Sequence, residues 1–340
     1  IGDGTNDPAS VTISGGDQTQ LASVRSGGAI DVTSTGITLD GTTYEAASGA
    51  VTFNNAVSVD AGGATVTVEA LGGGNAEDVV FAAAVDDAGS DDTLVVGASN
   101  AGAAGAGDVA MQAAVGVTNA FASFRVADTT NDVTFAGDVE TTGGLLEVGT
   151  STTSVSGTLL LNGDLYSEDN GGAAGGDIGL YANAIVLEAA GAGTAGQIAV
   201  RSDGSGSDGA ITVVTGTTLS SNTAWEDGLA LLGGTAVVDY SGATLADLDH
   251  LVVTADSASL GDTTLGDGAG NANVGLAVTT GGNLTLTGDV STAGDTSNNA
   301  GAIDLSGVDG TIDLSAGGAA VAGTVTVTTD VTGTDRAISL

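Results

Sequence analysis

Oxygen-bearing side chains in glycine-rich segments are the first candidates for chemistry in this sequence. Asp203 and Asp208 bracket Gly-Ser-Gly-Ser, Asp267 precedes Gly-Ala-Gly-Asn, and a third cluster spans residues 72–78. Ca²⁺ is a hard cation that takes carboxylate, amide and main-chain oxygens as ligands. None of these segments has the spacing of an EF-hand loop or of tandem glycine- and aspartate-rich nonapeptides. Asp203, Asp208 and Asp267 are therefore calcium-ligand candidates, with solvated turn residues as the alternative interpretation.

The basic residues are too few and too scattered to form a substrate clamp. The chain has four arginines, one histidine and no lysine. A lyase that removes a proton beside a uronate carboxylate needs cations to neutralise that group and a base within reach. His250 has no second histidine to complete a metal site, so we expect it at a strand edge. We expect Arg125 to pair with a carboxylate on a neighbouring repeat.

A glycosidase would need only two carboxylates, and acidic pairs such as Glu168-Asp169 are plentiful. Sugar hydrolysis also needs an elaborated cleft, which aromatic side chains commonly line. Aromatic residues make up only 3% of this chain, and Trp225 is its single tryptophan. We therefore expect no enzyme, and a carbohydrate-active β-helix enzyme is the lesser alternative.

The charge of the chain excludes several classes of partner. It has 34 aspartates and 8 glutamates against four arginines, for a formal net charge of -38. Neither nucleic acid nor an anionic membrane face is an expected partner, because both bind through Lys and Arg. Cysteine is absent, and no run of about 18 apolar residues predicts a membrane-spanning helix. The start at Ile-Gly-Asp predicts an excised or mature portion of a longer protein.

A short apolar motif recurs along the chain. It reads apolar-x-apolar, with a further apolar residue after three intervening positions, and the clearest copies begin at Val51, Val79, Val109, Val133 and Leu159. Looser copies follow, and equivalent positions from Phe53 to Tyr240 are 24 to 30 residues apart. Alternation with period two is typical of strands with one buried face, and Gly, Asn, Asp, Ser and Thr between the copies favour turns.

Each repeat holds three short strands, which cannot bury their apolar face alone. Stacking the repeats as coils of a right-handed parallel β-helix would bury that face along one axis. We therefore predict an all-β fold with about 24–30 residues and three short strands per coil, in which residues 1–10 are a linker-like segment and residues 11–340 form one continuous β-solenoid. A row of β-sandwich domains is the alternative. One internal ladder is predicted to contain Phe53, Phe81, Met111, Phe135, Leu161, Leu187 and Val213.

Several segments resemble the coils of a known family. They are Gly282-Asn-Leu-Thr-Leu-Thr-Gly-Asp-Val290, Gly301-Ala-Ile-Asp-Leu-Ser-Gly307 and Asp132-Val-Thr-Phe-Ala-Gly-Asp-Val139. Their pattern is similar to that of large repetitive bacterial surface proteins of the filamentous haemagglutinin-like type. The resemblance extends from about residue 30 to the end of the chain and carries no catalytic signature. It implies a secreted β-helical adhesin.

The segment Asp3-Gly-Thr-Asn6-Asp7-Pro8 resembles the linker that precedes cadherin-like modules in giant bacterial adhesins. In such linkers these residue types contribute to a calcium site, so the resemblance implies Asp3, Asn6 and Asp7 as calcium ligands. The alternative is a turn that ends at proline before the first strand. No cofactor is expected to be required, and calcium is the one ion that these residues suggest.

These features predict a structural or adhesive segment of an extracellular or cell-surface fibre. The absence of Lys and Cys and the high negative charge suit a long, soluble surface outside the cell. We expect self-association into a filament through exposed strand edges, with a cell-surface or glycan partner. A glycan-binding or ice-binding β-solenoid module is the alternative, although the threonine-rich runs do not align at the repeat period.

Overall fold

The structure is a computed structural model of the 340-residue chain. It describes residues 1–2, 4–72, 77–98, 107–127, 130–168, 175–189, 196–202, 207–214, 218–223, 226–266, 274–293, 302–314, 327–330 and 338–339. The chain forms two compact units. The first comprises Ile1–Leu160 with Tyr181–Asn183, and the second comprises Leu161–Leu180 with Ala184–Leu340. Within the described ranges all regular structure is β-strand, and no helix is long and apolar enough to cross a membrane.

The first unit is built from short strands that turn at almost regular intervals. They are β1 (Val11–Ser14), β2 (Thr19–Leu21), β3 (Val24–Ser26), β4 (Ile30–Thr33), β5 (Ile37–Leu39), β6 (Thr43–Ala46), β7 (Val51–Phe53), β8 (Val57–Val59), β9 (Thr65–Ala70), β10 (Val79–Phe81), β11 (Val85–Asp87), β12 (Thr93–Ala98), β13 (Val109–Met111), β14 (Ser123–Val126), β15 (Val133–Phe135), β16 (Val139–Thr141), β17 (Leu146–Val148) and β18 (Val155–Leu161), whose last residue lies in the second unit.

Three parallel ladders run through this unit. The first ladder pairs β1, β4, β7, β10, β13 and β15 in order. The second pairs β2, β5, β8 and β11 and continues through bridges from Val85 to Val115 and from Val115 to Val139. The third pairs β3, β6, β9, β12, β14 and β17. Each coil thus contributes one strand to each ladder, except that Val115 contributes a single bridge to the second. This arrangement confirms the predicted all-β parallel β-helix with three short strands per coil.

The second unit repeats this arrangement with longer strands. They are β19 (Leu165–Ser167), β20 (Ile178–Leu180), β21 (Ala182–Leu187), β22 (Gly196–Arg201), β23 (Ile211–Val213), β24 (Thr218–Ser221), β25 (Asp227–Leu232), β26 (Val237–Leu248), β27 (Leu251–Ala255), β28 (Ser257–Leu265), β29 (Val274–Thr280), β30 (Leu284–Leu286), β31 (Val290–Ala293), β32 (Ala302–Val308), β33 (Ile312–Leu314), β34 (Val327–Asp330) and β35 (Ile338–Ser339).

All the strand pairs within the second unit that have a defined register are parallel. Its second ladder runs from β19 through β22, β25, β27, β29 and β32 to β35. Strands β26 and β28 are long enough to serve two ladders each. In β26, Val237–Tyr240 belongs with β20 and β23 to the third ladder of this unit, and Thr244 onward belongs with β21 and β24 to its first ladder. A register shift separates the two parts. Such an irregularity lets one strand turn a corner without a separate loop.

Period-two alternation places the apolar residues inside. In the three-residue strands β5, β7, β8 and β10 both outer positions are buried and the central one is half-exposed. Phe53, Phe81, Met111 and Phe135 occupy equivalent positions of the first ladder, paired coil by coil, and all are buried. The rings of Phe53 and Phe81 stack with centroids 5.1 Å apart. This part of the predicted internal ladder is confirmed.

The same prediction is wrong at Val213. Leu187 does continue the column after Leu161, since the amide of Glu188 donates to the Leu161 carbonyl at 2.8 Å. Its partner on the next coil is Ser221, whereas Val213 pairs with Leu180 in the third ladder. The step from 187 to 221 is 34 residues, longer than the period read from the sequence. All three strands of a coil share the apolar-x-apolar pattern. A regular spacing therefore led from Leu187 in one ladder to Val213 in another.

The segment predicted as a linker lies along β3. The amide of Arg25 donates to the carbonyl of Ile1 and that of Gly27 to the carbonyl of Pro8, each at 2.7 Å. The hydroxyl of Ser26 also donates to the Pro8 carbonyl, at 3.2 Å. The division into a linker and one continuous solenoid stays a prediction.

Aspartate side chains connect successive coils at the corners of the first unit. The carboxylate of Asp78 accepts the backbone N–H of Asp108 at 3.0 Å, and Asp108 accepts that of Asp132 at 3.1 Å. Asp132 in turn accepts the N–H of Thr158 at 2.6 Å. The amides of Asp108 and Asp132 immediately precede β13 and β15, and that of Thr158 lies within β18. The aspartates therefore serve as acceptors for these backbone groups.

Asp92 is the most heavily bonded of these carboxylates. It is fully buried and accepts the backbone N–H groups of Ala61, Gly63 and Ala64 at 2.7–2.8 Å and the hydroxyl of Ser90 at 2.8 Å. Burial acts to raise the pKa of Asp92, but these hydrogen bonds outweigh it and hold the pKa below its usual range. The ionised carboxylate thus fixes the turn of the preceding coil.

We predict that Phe135→Asp destabilises the first unit by about 3 to 5 kcal/mol, because it places an unpaired charge inside the buried ladder. Thr134→Asp is the matched control, since Thr134 is the outward residue of the same strand. The control should change the free energy of unfolding by less than about 1 kcal/mol in urea denaturation. Equal effects of the two substitutions would contradict the assignment of inward and outward positions.

We also predict that Asp92→Ala destabilises the protein by about 2 to 4 kcal/mol at neutral pH, since buried backbone donors lose a charged acceptor. Because the folded-state pKa is lowered, this stabilisation is present above the unfolded-state value of about 4 and disappears as the pH falls through the folded-state value. The difference between parent and variant should therefore shrink on acidification. Asp60→Ala, an exposed aspartate in the same turn, is the control. A difference independent of pH would refute this role.

Candidate functional site

A polar groove lies on the second ladder of the first unit. Its volume is about 420 Å³, and its polar lining comes from Gln18, Thr38, Ser58, Asp86, Asp87 and Asn119. Gln20, Thr38, Ser58 and Asp86 pair in register as the central, outward residues of β2, β5, β8 and β11. Successive strands lie about 4.8 Å apart, so hydroxyl and carboxylate groups repeat at that interval.

The two carboxylates of the groove already have structural partners. Asp86 accepts the backbone N–H of Thr118 at 2.9 Å. Asp87 is almost fully buried and accepts the N–H groups of Gly89 and Asp91, each at 3.0 Å. These bonds shape the turns that form one wall. The hydroxyl and amide groups remain to meet a ligand, and no basic residue lines the groove, so its chemistry suits a neutral polar ligand better than an anion.

Each arginine of the described residues pairs with a glutamate of a neighbouring coil. The pairs are Arg25–Glu45 at 3.5 Å, Arg125–Glu147 at 2.8 Å and Arg201–Glu168 at 2.8 Å. The predicted partner of Arg125 on a neighbouring repeat is thereby confirmed. All three arginine side chains are about 40% exposed, and such exposed pairs contribute about 0 to 1 kcal/mol each.

Glu69 follows Glu45 on the next coil of the third ladder, in the same outward column as Arg25. Burial, followed by the charge of Glu45, raises the pKa of Glu69, and Arg25 acts in the opposite direction. A single guanidinium thus faces two carboxylates in this column.

His250 immediately precedes β27, which confirms its predicted place at a strand edge. Its Nδ1 lies 2.8 Å from Oδ2 of Asp249, and its Nε2 lies 3.0 Å from Nε2 of Gln197 two coils away. Gly228 pairs with Gln197 and lies between the two side chains. A Cβ at Gly228 would lie 2.1 Å from Cε1 of His250, so only glycine leaves room for the ring.

Three of the predicted calcium ligands, Asn6, Asp7 and Asp208, lie in the described residues. Asp3, Asp203 and Asp267 lie outside the described residues. The Oδ1 atom of Asp7 accepts the N–H of Gly4 at 2.8 Å, and Asp208 accepts the N–H of Thr235. In the ranges that the structure describes, no three His, Asp or Glu side chains form a group that could hold a metal ion. Calcium binding at Asn6, Asp7 or Asp208 stays a prediction.

The sequence reasoning missed a buried polar cluster around Asp227 and Asp249. Both carboxyl groups are at most 5% exposed, and each lies two residues before an inward leucine, Leu229 or Leu251. Extending the period-two alternation backwards from those leucines would have placed both aspartates on the inward face. The signal was present, but aspartates were interpreted only as turn residues or calcium-ligand candidates.

Comparison with known protein families, with curated proteins and with solved structures finds no match to this chain. A functional proposal therefore depends on the described geometry. It offers a parallel β-helix in each unit, a polar groove on the first unit, and a buried acid–histidine cluster in the second.

Proposed function

We propose that the chain is a structural or adhesive segment of an extracellular or cell-surface fibre. The observation that carries this proposal is the backbone pairing of successive coils through three parallel ladders in each unit. Such a stack presents outward residues in columns along its length, so that binding can be spread over many coils. A surface of this kind serves cohesion and attachment better than it serves catalysis at one point.

The charge of the chain supports self-association that responds to salt. Molecules of net charge -38 repel one another at low ionic strength. The screening length falls from about 30 Å at 0.01 M salt to about 8 Å at 0.15 M. Strand edges of parallel ladders also pair with any complementary edge that approaches them. Association should therefore become more favourable as salt screens the repulsion, and divalent cations should act at lower concentrations.

We predict that sedimentation velocity will show larger species as NaCl is raised from 10 mM to 500 mM at fixed protein concentration. Added CaCl₂ should shift the distribution further than NaCl of equal ionic strength if carboxylates bridge through calcium. MgCl₂ at the same concentration controls for divalent screening alone. A species that stays monodisperse at all salt and protein concentrations would contradict the fibre proposal.

The polar groove favours a second candidate function, a glycan-binding module. Thr38 and Ser58 present hydroxyl groups in a column, and Gln18 adds an amide at the rim. Hydroxyl and amide groups in a groove that no basic residue lines match the hydrogen-bonding groups of a neutral saccharide. The absence of aromatic residues from the groove lining predicts weak affinity for each sugar unit, so that binding would depend on several coils.

For that function we predict that the parent protein binds neutral polysaccharides on a glycan array and that Ser58→Arg abolishes the signal by filling the groove. Thr52→Arg is the matched control, because Thr52 is also the central, outward hydroxyl residue of a three-residue strand in the same coil but lies outside the groove. The control adds the same charge and should retain binding. Loss of signal in both variants, or no signal from the parent, would reject the groove as a glycan site.

A further inference from the structure

Asp227 begins β25 on the inward side of the second unit. It is 5% exposed, and the inward residues that follow it, Leu229 and Leu231, are buried. Its Oδ1 accepts the backbone N–H of Ala189 at 3.1 Å, and its Oδ2 lies 2.6 Å from Oγ of Ser221. The carboxyl group therefore has one amide donor and one hydroxyl partner, fewer donors than Asp92 has in the first unit.

The hydroxyl of Ser221 decides the protonation of its neighbour. Its Oγ lies 2.6 Å from the carbonyl oxygen of Thr223 and 2.6 Å from Oδ2 of Asp227. A serine hydroxyl has a single proton and can donate only one hydrogen bond. The carbonyl of Thr223, which also accepts the N–H of Glu226 at 3.2 Å, can only accept. Both 2.6 Å contacts are therefore hydrogen bonds only when Ser221 donates to that carbonyl. A second hydrogen bond at 2.6 Å then requires a proton on the carboxyl group of Asp227.

We propose that Asp227 is a neutral carboxylic acid in the folded protein and closes a proton-dependent latch, in which Asp227 donates to Ser221 and Ser221 donates to Thr223. The latch joins the end of β24 to the start of β25 and, through Ala189, to the preceding coil. Loss of the proton would place two oxygens with lone pairs against each other at 2.6 Å and leave a buried anion.

The charged groups around Asp227 act in the same direction. Burial is the largest effect that raises the pKa of Asp227, and the charges of Glu226 and Glu188 raise it further against the hydrogen bonds from Ser221 and Ala189. Asp249 follows on the next coil, its N–H donating to the carbonyl of Asp227 at 2.9 Å.

Asp249 adds a second buried carboxyl group to the cluster. It is fully buried, and its Oδ1 has no hydrogen-bond partner in the described part of the chain. The imidazole of His250 faces its Oδ2, and Gln197 faces the far nitrogen of that ring. His250 is the one basic group in this cluster, and it contacts Asp249 and not Asp227. An ionised Asp227 would therefore have no cation of its own.

The latch gives the second unit a pH response of definite sign. Because the folded-state pKa of Asp227 is raised, its stabilisation is complete below the unfolded-state value of about 4 and is lost as the pH rises through the folded-state value. Asp92 gives the first unit the opposite response, with stabilisation lost as the pH falls. Alkali should thus loosen the coils around Asp227 and acid those around Asp92. This response does not depend on the proposed fibre function.

The direct test is ¹³C NMR of the carboxyl carbons in the folded parent labelled at aspartate. The Asp227 signal, assigned as the resonance missing from Asp227→Asn, should still be that of a protonated acid at a pH at which exposed aspartates such as Asp60 are ionised. A signal of the ionised form at pH 5 and above would overturn the proposal. If Asp227→Asn does not fold, selective decoupling from the Asp227 β-protons assigns the signal in the parent alone.

Thermal melting of the variant provides the second readout. Asn has the shape of the neutral acid, so its amide N–H₂ can donate to Ser221 while its oxygen accepts from Ala189. Asp227→Asn should melt within a few degrees of the parent at pH 5 and change less than the parent as the pH rises to 9. Asp92→Asn, the same substitution in the first unit, should be destabilised at pH 7. The NMR signals of the single histidine, His250, report whether the second unit remains folded during these titrations. Equal destabilisation by the two substitutions at pH 7 would refute the latch.

Discussion

The hydrogen bond between the backbones of successive coils is the interaction on which the rest of this structure depends. Parallel strands satisfy each other's amides only while they run side by side, and every coil must leave its ladders to turn. A buried N–H without an acceptor costs about 1 to 3 kcal/mol. With three ladders per coil, the corners recur every few residues. The sequence between the strands must therefore supply hydrogen-bond acceptors for the backbone N–H groups at the corners of the neighbouring coil.

Aspartate supplies many of these acceptors. In Asp78, Asp108 and Asp132 the same position before a strand is used on three successive coils, each carboxylate taking an amide from the coil that follows. The excess of 34 aspartates over 8 glutamates fits this geometry, because a shorter side chain reaches a neighbouring backbone with less loss of rotamer freedom. Much of the negative charge of the chain is therefore a component of the fold as well as a property of its surface.

The sequence allowed a ladder to be predicted where one strand of each repeat carries a large apolar side chain at the same position. Phe53, Phe81, Met111 and Phe135 are large side chains at the same position of successive coils, and the structure pairs them as expected. Val213 was assigned to the wrong ladder because smaller residues fill all three strands there and the spacing alone does not tell them apart. Asp227 and Asp249 escaped notice for a related reason: an inward carboxyl group breaks the apolar alternation that identifies inward positions, and its hydrogen-bond partners come from other coils. The groove was equally hidden, since its wall depends on the turn that follows β11 and on Asn119 from the next coil.

Burial alone does not decide the charge of an aspartate in this protein. Asp92 and Asp227 are both at most 5% exposed, yet three backbone amides and a hydroxyl converge on Asp92, whereas one amide and a shared hydroxyl meet Asp227. The number of donors sets the balance against desolvation, so the first carboxyl group favours ionisation and the second favours a proton. The number of donors depends on the local backbone. The N–H groups of Ala61, Gly63 and Ala64 all point at Asp92, whereas Ala189, on the preceding coil, supplies the one backbone N–H that reaches Asp227 in the described residues. One residue type placed at different corners of a repeated coil thus gives the two units opposite sensitivities to pH.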